Sequence, residues 1–176
     1  MGKLVAVLAL VPIAVSSVLG LMGKDGSVEG TQPPAQVQVD GGAGDVTLQV
    51  STGVGRYELP DRWSAMPGDA VDRFQNELTP GAWLTVQRTP STSEPLESQC
   101  LSQAPVMDGR QPVPLPAPPG IAGAPAVALE GTGEAGGSLT WCLEHDRDVV
   151  VLVGGSASAD RVVVEEAMTR VADSFQ

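Results

Sequence analysis

Leu4 to Met22, LVAVLALVPIAVSSVLGLM, is an unbroken run of 19 uncharged residues, and it is the first limit on how this 176-residue chain can fold. As a helix rising 1.5 Å per residue it would span about 28 Å, close to the ~30 Å hydrocarbon core of a bilayer. Lys3 precedes the run, and beyond Lys24 the flank turns acidic with Asp25, Glu29 and Asp40. The positive-inside bias therefore predicts a single-pass segment with a cytoplasmic N-terminus and the remainder exported to the outer side of the plasma membrane. Pro12 followed by small residues at Ala14 and Ser16, or at Val18 and Gly20, also fits a cleavable signal. A cut after Ser16 would leave an unusually short leader, and apolar character continues to Met22. An uncleaved signal anchor over 1–22 is the expectation, with release by cleavage as the alternative. Ala9, Pro12, Ser16, Gly20 and Gly23 recur at steps of three and four, so in a helix they make one thin stripe where a neighbouring membrane helix could pack.

The charge balance narrows the class of partner. Ten Lys and Arg stand against 21 Asp and Glu, a net charge of −11. Nucleic-acid binding needs a basic surface that displaces phosphate counterions, so that class is excluded. Residues 23–45 are dominated by Gly, Pro, Gln and acidic side chains and read as a solvated linker. Every Trp, Tyr, Phe and Cys follows it. The core of an extracytoplasmic domain must then lie within 46–176, a length sufficient for one self-supporting core.

Within that stretch Val54–Leu59, Arg73–Leu78 and Trp83–Arg88 read as strands, the last two joined by Thr79-Pro80-Gly81-Ala82 in type II turn order. Ser91 to Glu94 has capping-box spacing ahead of a helix reaching Gln103, with Pro95 in its first turn. The Pro-rich stretch 105–120, densest at 112–119, reads as a loop or an extended edge segment and not a central strand. Ala124–Glu130, Ser138–Glu144 and Val149–Val153 predict a three-strand meander. A closing helix starts near Ser158 or Asp160, with Val164, Ala167, Met168, Val171 and Phe175 on one face and Glu166 facing Arg170. The fold class is α+β: an antiparallel sheet covered by two helices, behind an N-terminal transmembrane helix.

Several phrases carry a family resemblance. They are Tyr57-Glu58-Leu59-Pro60-Asp61-Arg62-Trp63 where the domain begins, Gly123 to Leu129 before the meander, Trp141 within a strand, and Val171-Ala172-Asp173-Ser174-Phe175 at the end. With the order of elements, they resemble the PsbP-like superfamily, which includes the photosystem II extrinsic protein and exported actinobacterial envelope proteins. Within it the chain is most similar to type VII secretion-associated membrane proteins and small envelope lipoproteins of mycobacteria and their relatives. The resemblance implies an accessory or assembly role, and it brings no shared catalytic residues.

Few residues suggest chemistry. Cys100 and Cys142 are the only cysteines, and an even count in an exported domain predicts a structural disulfide; a redox pair would call for closer spacing such as CxxC. His145, the sole histidine, lies with Asp146 and Asp148 in a turn-like sequence, and one histidine does not assemble a typical zinc site. Gly131-Thr132-Gly133-Glu134-Ala135-Gly136 matches GxGxxG, but a strand follows it where a dinucleotide site needs a helix, so the glycines are read as hairpin positions. Trp63, beside turn residues, is the tryptophan expected to be exposed for partner contact. The sequence thus predicts a non-catalytic accessory protein that binds or stabilises a membrane-protein complex, with no cofactor and no metal. The alternative is a secreted module that binds a small molecule or a lipid.

Overall fold

The computed structural model describes residues 36–40, 47–66, 71–157 and 160–176, with side chains from residue 47 onward. The expected anchor over 1–22 and the stripe of Ala9, Pro12, Ser16, Gly20 and Gly23 lie outside these residues. Among the described residues, no helix is long and apolar enough to cross a membrane.

Two antiparallel sheets and two helices make the fold α+β. The smaller sheet orders β1 (Gln36–Asp40), β2 (Thr47–Ser51) and β3 (Arg56–Pro60) side by side. β1 falls inside the stretch that composition assigns to the linker, so the folded part begins earlier than expected. Its sequence, Gln-Val-Gln-Val-Asp, has the period-two alternation of a strand, here hidden among Gly and Pro neighbours.

The larger sheet has seven strands in the order β4-β5-β6-β10-β9-β8-β7. These are β4 (Trp63–Ala65), β5 (Asp72–Asn76), β6 (Trp83–Pro90), β7 (Val113–Leu115), β8 (Ala126–Gly133), β9 (Gly136–His145) and β10 (Asp148–Ser156). The expected meander is present as β8-β9-β10, each strand longer than its sequence signal. The Pro-rich stretch supplies β7 at the sheet's edge, where proline's missing N–H costs no ladder bond.

The β5–β6 connection closes with the Ala82 N–H donating to the Thr79 carbonyl at 2.9 Å. Gly81 does not take the positive φ that a type II turn requires, so that turn assignment is corrected. Instead the Asn76 carboxamide organises the bend, accepting from the Leu78 and Thr79 N–H groups at 3.0 and 2.9 Å.

Helix α1 (Leu96–Gln103) and helix α2 (Arg161–Ser174) pack on opposite faces of the large sheet. α1 starts after Pro95 without a side-chain cap, so the capping box does not form. The Gln99 side chain takes over, accepting from the Thr92 N–H and donating to the Glu94 carbonyl. α2 buries Val164, Ala167, Met168, Val171 and Ala172 as its 3.6-residue period dictates. Its surface ion pair is Arg161 with Glu165 rather than Glu166 with Arg170.

The main core lies on the α2 side. Leu84, Val86, Leu139, Trp141, Leu143, Val150 and Leu152 meet the helix there, and β2 and β3 add Leu48, Val50, Tyr57 and Leu59. A smaller core on the α1 side gathers Leu129, Val149, Val151 and Val153 around Cys100 and Cys142. The two cysteines form a disulfide with Cα atoms 5.7 Å apart, bonding α1 to β9.

The end of the chain is fastened to β3. Arg56 and Gln176 exchange two backbone hydrogen bonds, and the Glu58 N–H donates to Ser174 Oγ at 2.8 Å. Phe175 stacks on Tyr57 with ring centroids 5.8 Å apart, and Phe74 meets Tyr57 edge-on at 6.3 Å.

Candidate functional site

Helix α1 has eight residues and packs on β8 and β9, and among the described residues no helix lies over the neighbouring part of the same sheet face. Side chains alternate along a strand, so Arg73 and Gln75 of β5 share that face with Trp83 and Thr85 of β6. The register sets Arg73 opposite Thr85 and Gln75 opposite Trp83. Trp83 in turn pairs with Gly155 of β10. A Cβ at Gly155 would lie 2.6 Å from three atoms of the Trp83 indole, so the ring rests directly on the glycine backbone. This glycine is required by close approach rather than by its backbone angles.

The result is a groove of about 440 Å³ whose lining includes Met66, Arg73, Gln75, Trp83 and Thr85. Trp83 is 36% exposed and Met66 is exposed beside it. Among the described residues lining the groove, Arg73 is the only charged one. The Thr85 hydroxyl donates to the Val153 carbonyl at 3.2 Å, which leaves Arg73 and Gln75 to offer polar groups.

Trp63 occupies a different place from the one expected. It is the first residue of β4, only 4% exposed, and belongs to the core on the α2 side. The turn at Asp61-Arg62, where Arg62 takes φ 71°, reverses the chain so that Trp63 points inward. The exposed-tryptophan assignment therefore moves from Trp63 to Trp83. One signal for it was in the sequence: Gly154-Gly155 interrupts an otherwise β-branched strand, and a glycine there marks a large group lying against the backbone.

The remaining candidates separate from the groove. His145 packs edge-on against Phe175 at 5.3 Å, with Nε2 3.7 Å from the Asp146 carboxylate. Among the described residues, no cluster of three or more His, Cys, Asp or Glu is placed to hold a metal. The GxGxxG stretch forms the β8–β9 hairpin, as read from the strand that follows it. Gly136 takes φ 148°, and a Cβ there would lie 2.4 Å from the Ser156 carbonyl oxygen. Near that hairpin Arg161 bridges Glu130 and Glu165, and the Glu165 hydrogen bond is the chief cause holding its guanidinium above its ordinary pKa.

A partly buried polar cluster, with Tyr57 its buried member, joins the small sheet to the large one. The Tyr57 and Thr52 hydroxyls both donate to Asp72 Oδ2 at 2.6 Å. Burial first, and then the Asp72 charge and hydrogen bond, push the Tyr57 phenol far above its ordinary range. Its folded-state pKa exceeds its unfolded one, so the associated stability is complete below about pH 10 and erodes above it as the unfolded chain's phenol ionises. Tyr57 is the only tyrosine, so phenolate absorbance reports this residue alone. In an alkaline titration the phenolate band should appear together with loss of the near-ultraviolet circular dichroism, not before it. A phenolate that forms at its ordinary pKa in a still-folded protein would contradict the buried cluster.

Compared with models of known protein families and with curated proteins, the chain matches none.

Proposed function

We propose that this chain is a membrane-anchored extracytoplasmic accessory protein of the PsbP-like kind, which binds or stabilises a cell-envelope membrane complex without itself catalysing a reaction. The observation that carries the reading is Trp83, an exposed tryptophan on a part of the sheet face that no described helix covers. Tryptophan is among the residues that most often dominate binding energy at protein interfaces, and only 3% of this chain is aromatic. The order of strands, mid-domain helix, meander and closing helix supports the family likeness, and the apolar run at 4–22 supports the anchor.

A second reading, a module that binds a small molecule or a lipid, is favoured by the size of the groove. Its volume of about 440 Å³ falls within the ~300–1,000 Å³ range of ligand pockets.

Intact mass of the native protein in membrane and culture fractions, with and without reduction, tests the anchored reading. The expected species is full length, found in the membrane, and about two mass units heavier after reduction, as one disulfide requires. A shortened species in the culture medium would remove the anchor and favour the second reading.

A further inference from the structure

We infer that the groove beside Trp83 binds a small anion with a flat apolar body, the body stacked on the indole and the acid group held by the Arg73 guanidinium. This rests on the second reading of the groove and names the chemistry of its ligand.

One face of the Trp83 indole lies on Gly155, and the exposed part of the side chain borders the groove. An indole held against a backbone loses little conformational freedom when a second ring stacks on it. Met66 borders the same space with a flexible thioether, which adapts to an apolar body and makes favourable contacts with aromatic edges. Between strands β5 and β6 the register fixes the polar groups: Arg73 lies two residues along β5 from Gln75, and Gln75 is paired with Trp83. A head group on Arg73 therefore places the rest of the ligand toward the indole.

The chain carries a net charge of −11, yet the described residues lining this groove include one arginine and no Asp or Glu. On so acidic a molecule, a recess whose described lining carries one cation and no carboxylate favours anions locally while the rest of the surface repels them. A guanidinium also offers a planar fork of donors that fits carboxylate or phosphate oxygens. A cationic ligand of the same shape meets no carboxylate among the described lining residues.

The test uses the full chain in nanodiscs of neutral phosphatidylcholine, with empty nanodiscs as the blank. Calorimetric titration with naphthalene-2-carboxylate and with phenyl phosphate separates a carboxylate from a phosphate source of the same chemistry. Naphthalene-2-carboxamide and 2-naphthylmethylammonium are the neutral and cationic counterparts. At least one of the two anions should bind, and the neutral and cationic probes should bind at least about tenfold more weakly, the scale of a charge-assisted hydrogen bond. Arg73→Gln should bring the anion down to the affinity of its neutral counterpart. Trp83→Ala should weaken both charged and neutral probes by about tenfold or more, as loss of a stacking surface does. Trp83→Phe should restore part of that loss, which shows that stacking and not misfolding is measured.

Absence of binding by either anion would overturn the inference, as would equal affinity for anion and cation or an unaltered anion affinity in Arg73→Gln. A wild-type chain that migrates with a membrane assembly but binds neither probe would overturn this inference and leave the partner-binding reading standing. A chain that binds an anion but joins no assembly would do the reverse.

Discussion

Replacing both cysteines with alanine is expected to destabilise the folded domain by about 3–4 kcal/mol, the loop-closure scale for a bridge of this span. The bond links Cys100 to Cys142, 42 residues apart in sequence. Both residues are fully buried at the centre of the smaller core, and α1 reaches the sheet through them. Cys100 is the one fully buried residue within that helix, and Leu96 adds only a partly buried contact to the same core, so little else along α1 holds it down once the bond is lost. An isolated eight-residue helix is too short to persist in water by itself. The loss should therefore reach Leu129, Val149 and Val151 as well, whose cover α1 provides. For a domain of this size the midpoint of thermal unfolding should fall by roughly 10–20 °C. Reduction of the wild-type protein under mildly denaturing conditions should lower the midpoint to the same value. A double variant that melts within a few degrees of wild type would mean that α1 is held by contacts other than this bond.

The second large effect separates the two tryptophans of the β4–β6 region. Trp63→Ala should cost about 3–5 kcal/mol, because it empties a large buried volume that neighbouring side chains refill only in part. Trp83→Ala should cost much less, since its ring lies on the surface above Gly155 and leaves no enclosed cavity. Chemical denaturation of the two variants, read by far-ultraviolet circular dichroism, makes the comparison. Equal losses would contradict the assignment of Trp63 to the core and Trp83 to the binding face.

Which parts of the fold are legible in the sequence follows from the length and purity of each pattern. The β8-β9-β10 meander and α2 can be read directly, because apolar runs bounded by turn residues and a full 3.6-residue stripe leave one reading. The Cys100–Cys142 bond is legible from the count alone. β1 and β4 are not, being five and three residues long with Gly, Pro or turn residues at their borders. Their place is set by pairing with β2 and β5, which a local window does not contain.

The two helices are legible as helices but not as partners of opposite faces. That arrangement decides the candidate site, since it lets a short helix leave part of one face bare. Trp63 is misread for a related reason: a sharp turn before it sends the side chain inward, and the turn residues alone carry no sign of direction. For Trp83 the sign was remote, at Gly154-Gly155, some 70 residues later in the chain and adjacent only through the β6–β10 register.

The proposed function has Trp83 present the binding face of an anchored accessory protein. Its most direct test is native electrophoresis of the full chain after mild detergent extraction of the membranes in which it is made, wild type beside Trp83→Ala. Wild type should migrate within a larger membrane assembly, and the folded Trp83→Ala chain should run separately from it. A wild-type chain that runs alone, or a Trp83→Ala chain that stays in the assembly as firmly as wild type, would contradict the claim.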